Sequence, residues 1–236
     1  MKALKEAWFE FKGVRSDAMG VMMLARPERE QPSLNGEYRQ VAGRSGQIWL
    51  GDGSYGNGSA EVTCIVPGGD MDAVLAWLTG SGWLRFSDEP DRAYRARAVK
   101  GLVRTQPMPR LAAQRFTVQF ECQPFRYLYP EAAQIVLTEN GTVHNPGTAA
   151  AQPVIRIEGS GDISVLVGGR WMAFEGVSGG VTVDCELMDV LDLGQTKLMN
   201  GCAQMDEFPV LEPGANAVLW SGDVTRIVIE PRWRYL

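Results

Sequence analysis

The sequence predicts an all-β fold in two sandwich domains, the first carrying one α-helix. Three observations lead there. Arg115–Cys122 alternates cleanly, with Phe116, Val118, Phe120 and Cys122 on one side and Thr117, Gln119 and Glu121 on the other. Asp70–Gly80 is the only convincing helical stretch. From residue 129 onward, short apolar runs alternate with glycine pairs, the punctuation of a β-sandwich.

Taken in order, Trp8-Phe-Glu-Phe11 reads as an opening strand ended by Gly13, and Val21–Leu24 as a second apolar run. Between Arg26 and Gly58 the character changes. Pro27, Pro32 and glycines at 36, 43, 46, 51, 53, 56 and 58 leave little apolar surface to bury. Such a stretch suits an extended hairpin or arm projecting from a core, and its composition fits a plain mobile loop equally well. Glu61–Val66 follows as a strand with Val62, Cys64 and Val66 on one face.

The helix is expected over about 70–79. Asp70 can cap it, Asp72 suits its first turn and Gly80 can end it. Met71, Val74, Leu75 and Leu78 share one side, a stripe suited to packing on a sheet. Trp83–Phe86 and Tyr94–Val99 read as strands joined by a turn at Asp88-Glu-Pro90, and Pro107 with Pro109 marks a loop. These elements give a first domain over 1–128 and a second over 129–236.

In the second half, runs at 135–137, 154–158, 163–167, 171–174, 181–185, 217–220 and 225–230 read as separate strands. Asn145-Pro146-Gly147 forces a turn, since proline fixes its own φ and pushes the preceding residue out of the helical region. That stretch reads as a hinge between the two β halves. Asn-Gly pairs at 35–36, 57–58, 140–141 and 200–201 suit tight hairpin turns.

Composition narrows the function. A chain of 236 residues, 45% hydrophobic and 22% charged, can build a real core. Its net charge of −5 argues against binding nucleic acid through phosphate contacts, which needs a basic face, although a local basic patch stays open. Lys5 and Glu6 interrupt the first apolar run, so Met1–Trp8 does not read as a signal peptide. No stretch approaches the roughly 18–20 apolar residues of a membrane span. The expectation is synthesis in the cytosol, with Cys64, Cys122, Cys185 and Cys202 as free thiols, since their spacing suits no metal site.

No catalytic constellation emerges. Gly51-Asp-Gly-Ser-Tyr-Gly56 matches a dinucleotide-binding pattern, yet a strand follows it where a helix is required. His144 is the sole histidine and reads as a turn residue. Acidic residues at 184, 186, 189, 192, 206 and 207 read as a solvated face, although a hydrolase using Asp184 and Asp189 stays open. No metal, cofactor or catalytic residue is expected.

Several patches in collinear order carry a resemblance that covers nearly the whole chain. They are Phe9-x-Phe11, Val41-Ala-Gly-Arg-Ser-Gly46 with Gly53-Ser-Tyr55, and Trp77-Leu-Thr-Gly80 running into Gly82-Trp-Leu-Arg-Phe-Ser-Asp88. Then come Phe116-x-Val-x-Phe-x-Cys-x-Pro-Phe125, Asn145-x-Gly-Thr148 with Pro153-Val-Ile155, and Phe208-x-x-Leu-x-Pro-Gly-x-Asn216 ahead of Trp220-x-Gly222. In order and spacing these resemble the distal tail protein (Dit) family of long, flexible-tailed phages.

The resemblance implies a structural virion protein with no enzymatic activity. Its first domain would be a tail-tube-like β-sandwich, closing as a ring of six copies, and its second a galectin-like β-sandwich. The ring would join the tail-tube protein to a tail-associated baseplate or fibre protein, with the tape-measure protein a further neighbour. DNA would pass through the lumen without specific binding, and no membrane is involved. The implied location is the virion tail tip, after synthesis in the bacterial cytoplasm. On this reading Arg26–Gly58 reaches an adjacent subunit, and Arg44, Trp49 and Tyr55 are the expected interface residues. His144-Asn-Pro146 stands at the start of the second domain instead of mid-strand, so the galectin resemblance implies a fold and not its sugar site. A second hypothesis, a carbohydrate-binding module for host cell-wall glycans, rests on Trp171, Trp220 and Trp233.

Overall fold

The computed structural model describes residues 6–68, 70–99, 104–108 and 113–236. The chain divides into two compact units, Met1–Arg126 with Leu236, and Tyr127–Tyr235. Each encloses its own apolar core.

In the first unit, β1 (Phe9–Phe11), β2 (Val14–Arg15), β3 (Met22–Met23) and β4 (Glu28–Arg29) precede a long hairpin of β5 (Leu34–Gln40) and β6 (Gln47–Tyr55). Then come β7 (Gly58–Pro67), α1 (Met71–Trp77), β8 (Ser81–Phe86), β9 (Glu89–Ala98), β10 (Arg104–Met108) and β11 (Ala113–Leu128). The main sheet runs β2-β1-β8-β9-β11-β7-β3, and β5 with β6 forms a separate two-stranded sheet. Alternation sets the register: Phe116 faces Cys64, Val118 faces Val62 and Phe120 faces Ala60, so these six residues form one buried apolar surface. Fully buried Phe9, Phe11, Phe116 and Phe120 contribute about 1.5–3 kcal/mol each through apolar burial.

The α1 helix covers that core. The Asp70 side chain accepts from the backbone N–H groups of Asp72 and Ala73 at 3.0 and 3.1 Å, which satisfies two otherwise orphan donors. Met71, Val74 and Trp77 are buried. The helix ends at Trp77, short of the expected residue 79, as Leu78 leaves helical geometry and Gly80 turns at φ 76°.

The second unit contains β12 (Ile135–Leu137), β13 (Gly141–Asn145), β14 (Val154–Val167), β15 (Arg170–Val177), β16 (Val181–Asp184), β17 (Asp189–Asp192), β18 (Ala203–Gln204), β19 (Gly214–Glu230) and β20 (Arg234–Tyr235). Its sheet runs β12-β19-β14-β15-β18, with β13 on β19 and the β16–β17 pair on β14.

Several sequence expectations are corrected here. The stretch around Asn145-Pro146-Gly147 is no hinge: it lies inside the second unit, at the end of β13. Asn145 is buried there. Its Nδ2 donates to the carbonyl oxygens of Leu211 (2.8 Å) and Ala149, while its Oδ1 accepts from Gly147 N at 2.7 Å. His144 is an exposed strand residue on β13, not a turn residue.

Gly159-Ser160-Gly161 does not divide two strands. β14 runs through it on a bulge opposite β19, and a Cβ on Gly159 would collide with the Asp223 carbonyl. The runs at 217–220 and 225–230 likewise belong to the single strand β19, with Gly222 at φ 94° absorbing the irregularity. Pro107 lies in β10, which among the described residues pairs only with β11 and so tolerates a missing N–H; Pro109 lies outside the described residues. None of the four Asn-Gly pairs forms a two-residue hairpin turn. Gly168-Gly169 does, between β14 and β15, at φ 57° and 84°.

Candidate interaction surface on the hairpin arm

The β5–β6 hairpin is the most exposed regular structure among the described residues. All seven residues of β5 are exposed, and in β6 only Ile48 and Tyr55 are partly covered. Neither strand pairs with the main sheet. A lone two-stranded hairpin is marginal in water, and its unpaired edges invite another surface.

The arm is held firmly at its base. Gly56 N donates to Ser33 O at 2.9 Å, and the Tyr55 ring meets Phe125 edge-on at 5.8 Å. Below, β4 pairs with β7, and the Arg29 guanidinium binds Glu89 at 2.6 Å and also Asp88. Arg126 binds the other oxygen of Glu89 at 2.8 Å. Residues 28–29, part of the expected arm, therefore belong to the body, and the projecting part is 34–55.

Halfway along, Trp49 faces Tyr38 across the hairpin, with the rings edge-to-face at 4.8 Å and 62°. The indole lies over the Gly36–Gly51 pair. A Cβ on Gly36 would collide with the indole, and one on Gly51 would sit 2.8 Å from its Nε1. Two glycines thus let a large ring lie flat on the backbone while it remains 41% exposed, next to a Tyr38 that is 66% exposed. Leu34 and Leu50 add further exposed apolar area.

Of the residues expected at an interface, Trp49 is at the centre of this patch, Tyr55 is half-buried at the base, and Arg44 is exposed in the 41–46 turn. Tyr38 was missed. The signal for it was the hairpin itself: setting Gln47–Leu50 antiparallel to Glu37–Gln40 puts Tyr38 opposite Trp49.

Asp184, Asp189 and Asp192 of the second unit are engaged in structural hydrogen bonds. Burial opposes ionisation of Asp184, but hydrogen bonds from Arg232 and from two backbone N–H groups outweigh it, so its carboxyl sits below the usual range. Asp189 accepts from Asn200 at 3.1 Å. Asp192 is likewise depressed, by hydrogen bonds from the Lys197 and Thr196 backbone and the Thr196 hydroxyl. Asp184 and Asp192 are both held below the usual range, the opposite of the raised carboxyl that the hydrolase idea needs. Among the described residues no group of three His, Cys, Asp or Glu is placed to hold a metal ion. Trp233, expected on a sugar-binding surface, is buried, and Trp220 packs against the core, which leaves Trp171 exposed.

No protein-family model matches the sequence, and no curated protein does. Among solved structures the chain is similar to the Dit protein (gp 19.1) of phage SPP1, described as a paradigm of the hub adsorption apparatus in Gram-positive infecting phages. The likeness covers 98% of this chain and 100% of that one, at 19% identity and a TM-score of 0.72. Both β units therefore share the Dit two-domain fold.

Proposed function

We propose that this chain is a distal tail adaptor of a long-tailed phage, six copies closing into a ring that links the tail tube to the adsorption apparatus. The observation that carries the proposal is the anchored hairpin of residues 34–55. It presents a preformed Tyr38–Trp49 aromatic pair to solvent and has no third strand of its own. An aromatic pair fixed on a rigid base is the kind of anchor that carries interface energy. Contact between one copy's arm and the next copy's body is heterologous, and such contacts make a closed ring when the rotation is one sixth of a turn. The end-to-end likeness to the SPP1 protein, described as a hub of the adsorption apparatus, supports a place in such an apparatus.

The role is structural, without catalysis. The ring's neighbours are the tail-tube protein on one side and a tail-associated baseplate or fibre protein on the other, with the tape-measure protein nearby. DNA passes through the lumen without base-specific contacts, in keeping with a net charge of −5. The place of action is the virion tail tip.

Electron microscopy of the purified chain, alone at high concentration and mixed with tail-tube protein, tests this. Six-fold rings are the expected result. A species that stays monomeric throughout and does not dock on tail-tube protein would overturn it.

A further inference from the structure

The outer face of the main sheet in the first unit carries a basic patch, although the chain as a whole has a net charge of −5. Alternation along β9 sends Ala96 and Ala98 into the core and Arg95 and Arg97 to the other side, about 7 Å apart by ordinary strand dimensions. On β8, Trp83 stands opposite Arg95 and Ser81 opposite Arg97. Together with Asn57 and Gln123 these four residues line an open groove of about 500 Å³.

The charges of the groove are arranged to meet an anion. The Arg95 guanidinium lies over the Trp83 ring at 5.5 Å, a contact that fixes the plane of the cation without neutralising it. Arg97 is exposed, and among the described residues it has no ion-pair or hydrogen-bond partner. The carboxylate that borders the groove, Glu121, accepts from Asn57 Nδ2 at 2.9 Å. Further along the same face, Arg85 and Arg15 lie over the Trp8 ring at 5.3 and 4.4 Å. Both are already paired, with Glu10 at 2.8 Å and with Asp17 at 2.6 Å. Uncompensated positive charge is therefore concentrated at the Arg97 end of the face.

We propose that this groove binds a single-stranded nucleic-acid segment without reading its sequence. The separation of Arg95 and Arg97 matches that of successive phosphates along an extended strand, so each guanidinium takes one phosphate. A base lays its face on the Trp83–Arg95 stack, and Ser81, Asn57 and Gln123 offer neutral hydrogen-bonding groups to the sugar and the base edge. An acidic peptide would answer the two cations and leave the stacking surface unused. A duplex keeps its bases inside and offers the groove its phosphates alone. The groove includes neither Tyr38 nor Trp49, and binding in it does not depend on ring assembly.

The test is fluorescence anisotropy of a labelled thymidine dodecanucleotide titrated with the full chain at low ionic strength, with unlabelled duplex DNA and polyglutamate as competitors. Binding should weaken with salt at a log–log slope of about 1.4, the value for two phosphates of a single strand. Arg97→Ala should halve that slope to about 0.7, and Arg97→Lys should restore it. Trp83→Leu should weaken binding about tenfold at an unchanged slope, since it removes stacking and no charge. Near-ultraviolet circular dichroism of Arg97→Ala and Arg97→Lys should match the parent chain. Duplex and polyglutamate should compete poorly. Absence of binding at low salt would overturn the proposal, as would an undiminished slope in folded Arg97→Ala protein. Competition by polyglutamate or duplex as strong as by the unlabelled single strand would do the same.

Discussion

The indole Nε1 of Trp77 donates to the carbonyl oxygen of Phe11 at 3.0 Å, tying the only α-helix among the described residues to the first strand of the chain. The same indole stacks on Phe9 at 5.2 Å and 15°, and Phe9 and Phe11 both meet the Phe120 ring. One side chain thus joins β1, α1 and, through its neighbours, β11. Trp77→Ala should destabilise the first unit by about 3–5 kcal/mol through the cavity left behind. Trp77→Phe should cost less, about 1–3 kcal/mol, largely from the carbonyl left unsatisfied. Urea denaturation of both variants checks the order; a Phe variant as damaged as the Ala variant would assign the loss to the hydrogen bond and not to the cavity. Phe120→Ala should fall in the same 3–5 kcal/mol range.

The arm should separate folding from assembly. Tyr38 and Trp49 touch each other and the hairpin backbone, so Tyr38→Ala with Trp49→Ala should shift stability by less than about 1 kcal/mol. It should nonetheless weaken ring formation at least tenfold by sedimentation velocity. Gly36→Ala should act in the same direction, because its Cβ displaces the Trp49 indole.

Acid should loosen the second unit through Asp184. Its folded carboxyl is depressed by Arg232 and two backbone donors against the opposing effect of burial. A depressed folded pKa contributes stability that is fully present above the unfolded value, about 3.9, and is lost as pH falls through the folded value. Thermal melts from neutral pH to about pH 2 should therefore steepen below about pH 4. Asp184→Asn should lower the melting temperature at neutral pH and flatten that acid limb. Parallel acid limbs in the two proteins would show that another group controls it.

The thiols should report the cores. Burial pushes Cys122 and Cys185 up to about 12 and Cys64 higher still, so at neutral pH these three are protonated and enclosed. Cys202 is half-buried, with its Sγ donating to Met199 O at 3.0 Å. Mass spectrometry after brief alkylation of native protein should find label on Cys202 first, and on all four only after unfolding. Early labelling of Cys64 would mean that the β7–β11 face opens without global unfolding.

Wherever local pattern decides burial, the sequence was readable. The 116–122 alternation, the Asp70 cap and the apolar side of α1 all appear in the structure, because a one-residue slip would place phenylalanines in water. What was hidden depends on partners distant in sequence. Gly159 and Gly222 look like punctuation, yet β14 and β19 pair over most of their length and absorb both as irregularities. Asn145 looked like a turn signal until Leu211, 66 residues away, appeared as its acceptor. Trp171 and Trp233 looked alike, and only the fold exposes one and buries the other. The arm was legible as glycine-rich and poor in core, but the Tyr38–Trp49 pair needed the hairpin register.

The most direct test of the account is removal of the arm. Deleting Glu37–Leu50 joins Gly36 to Gly51, which already face each other across the hairpin, so the body needs no rearrangement. The shortened chain should keep its melting temperature and near-ultraviolet spectrum yet sediment only as a monomer under conditions where the intact chain forms rings. Six-fold rings from the shortened chain would contradict the claim that this hairpin holds the copies together.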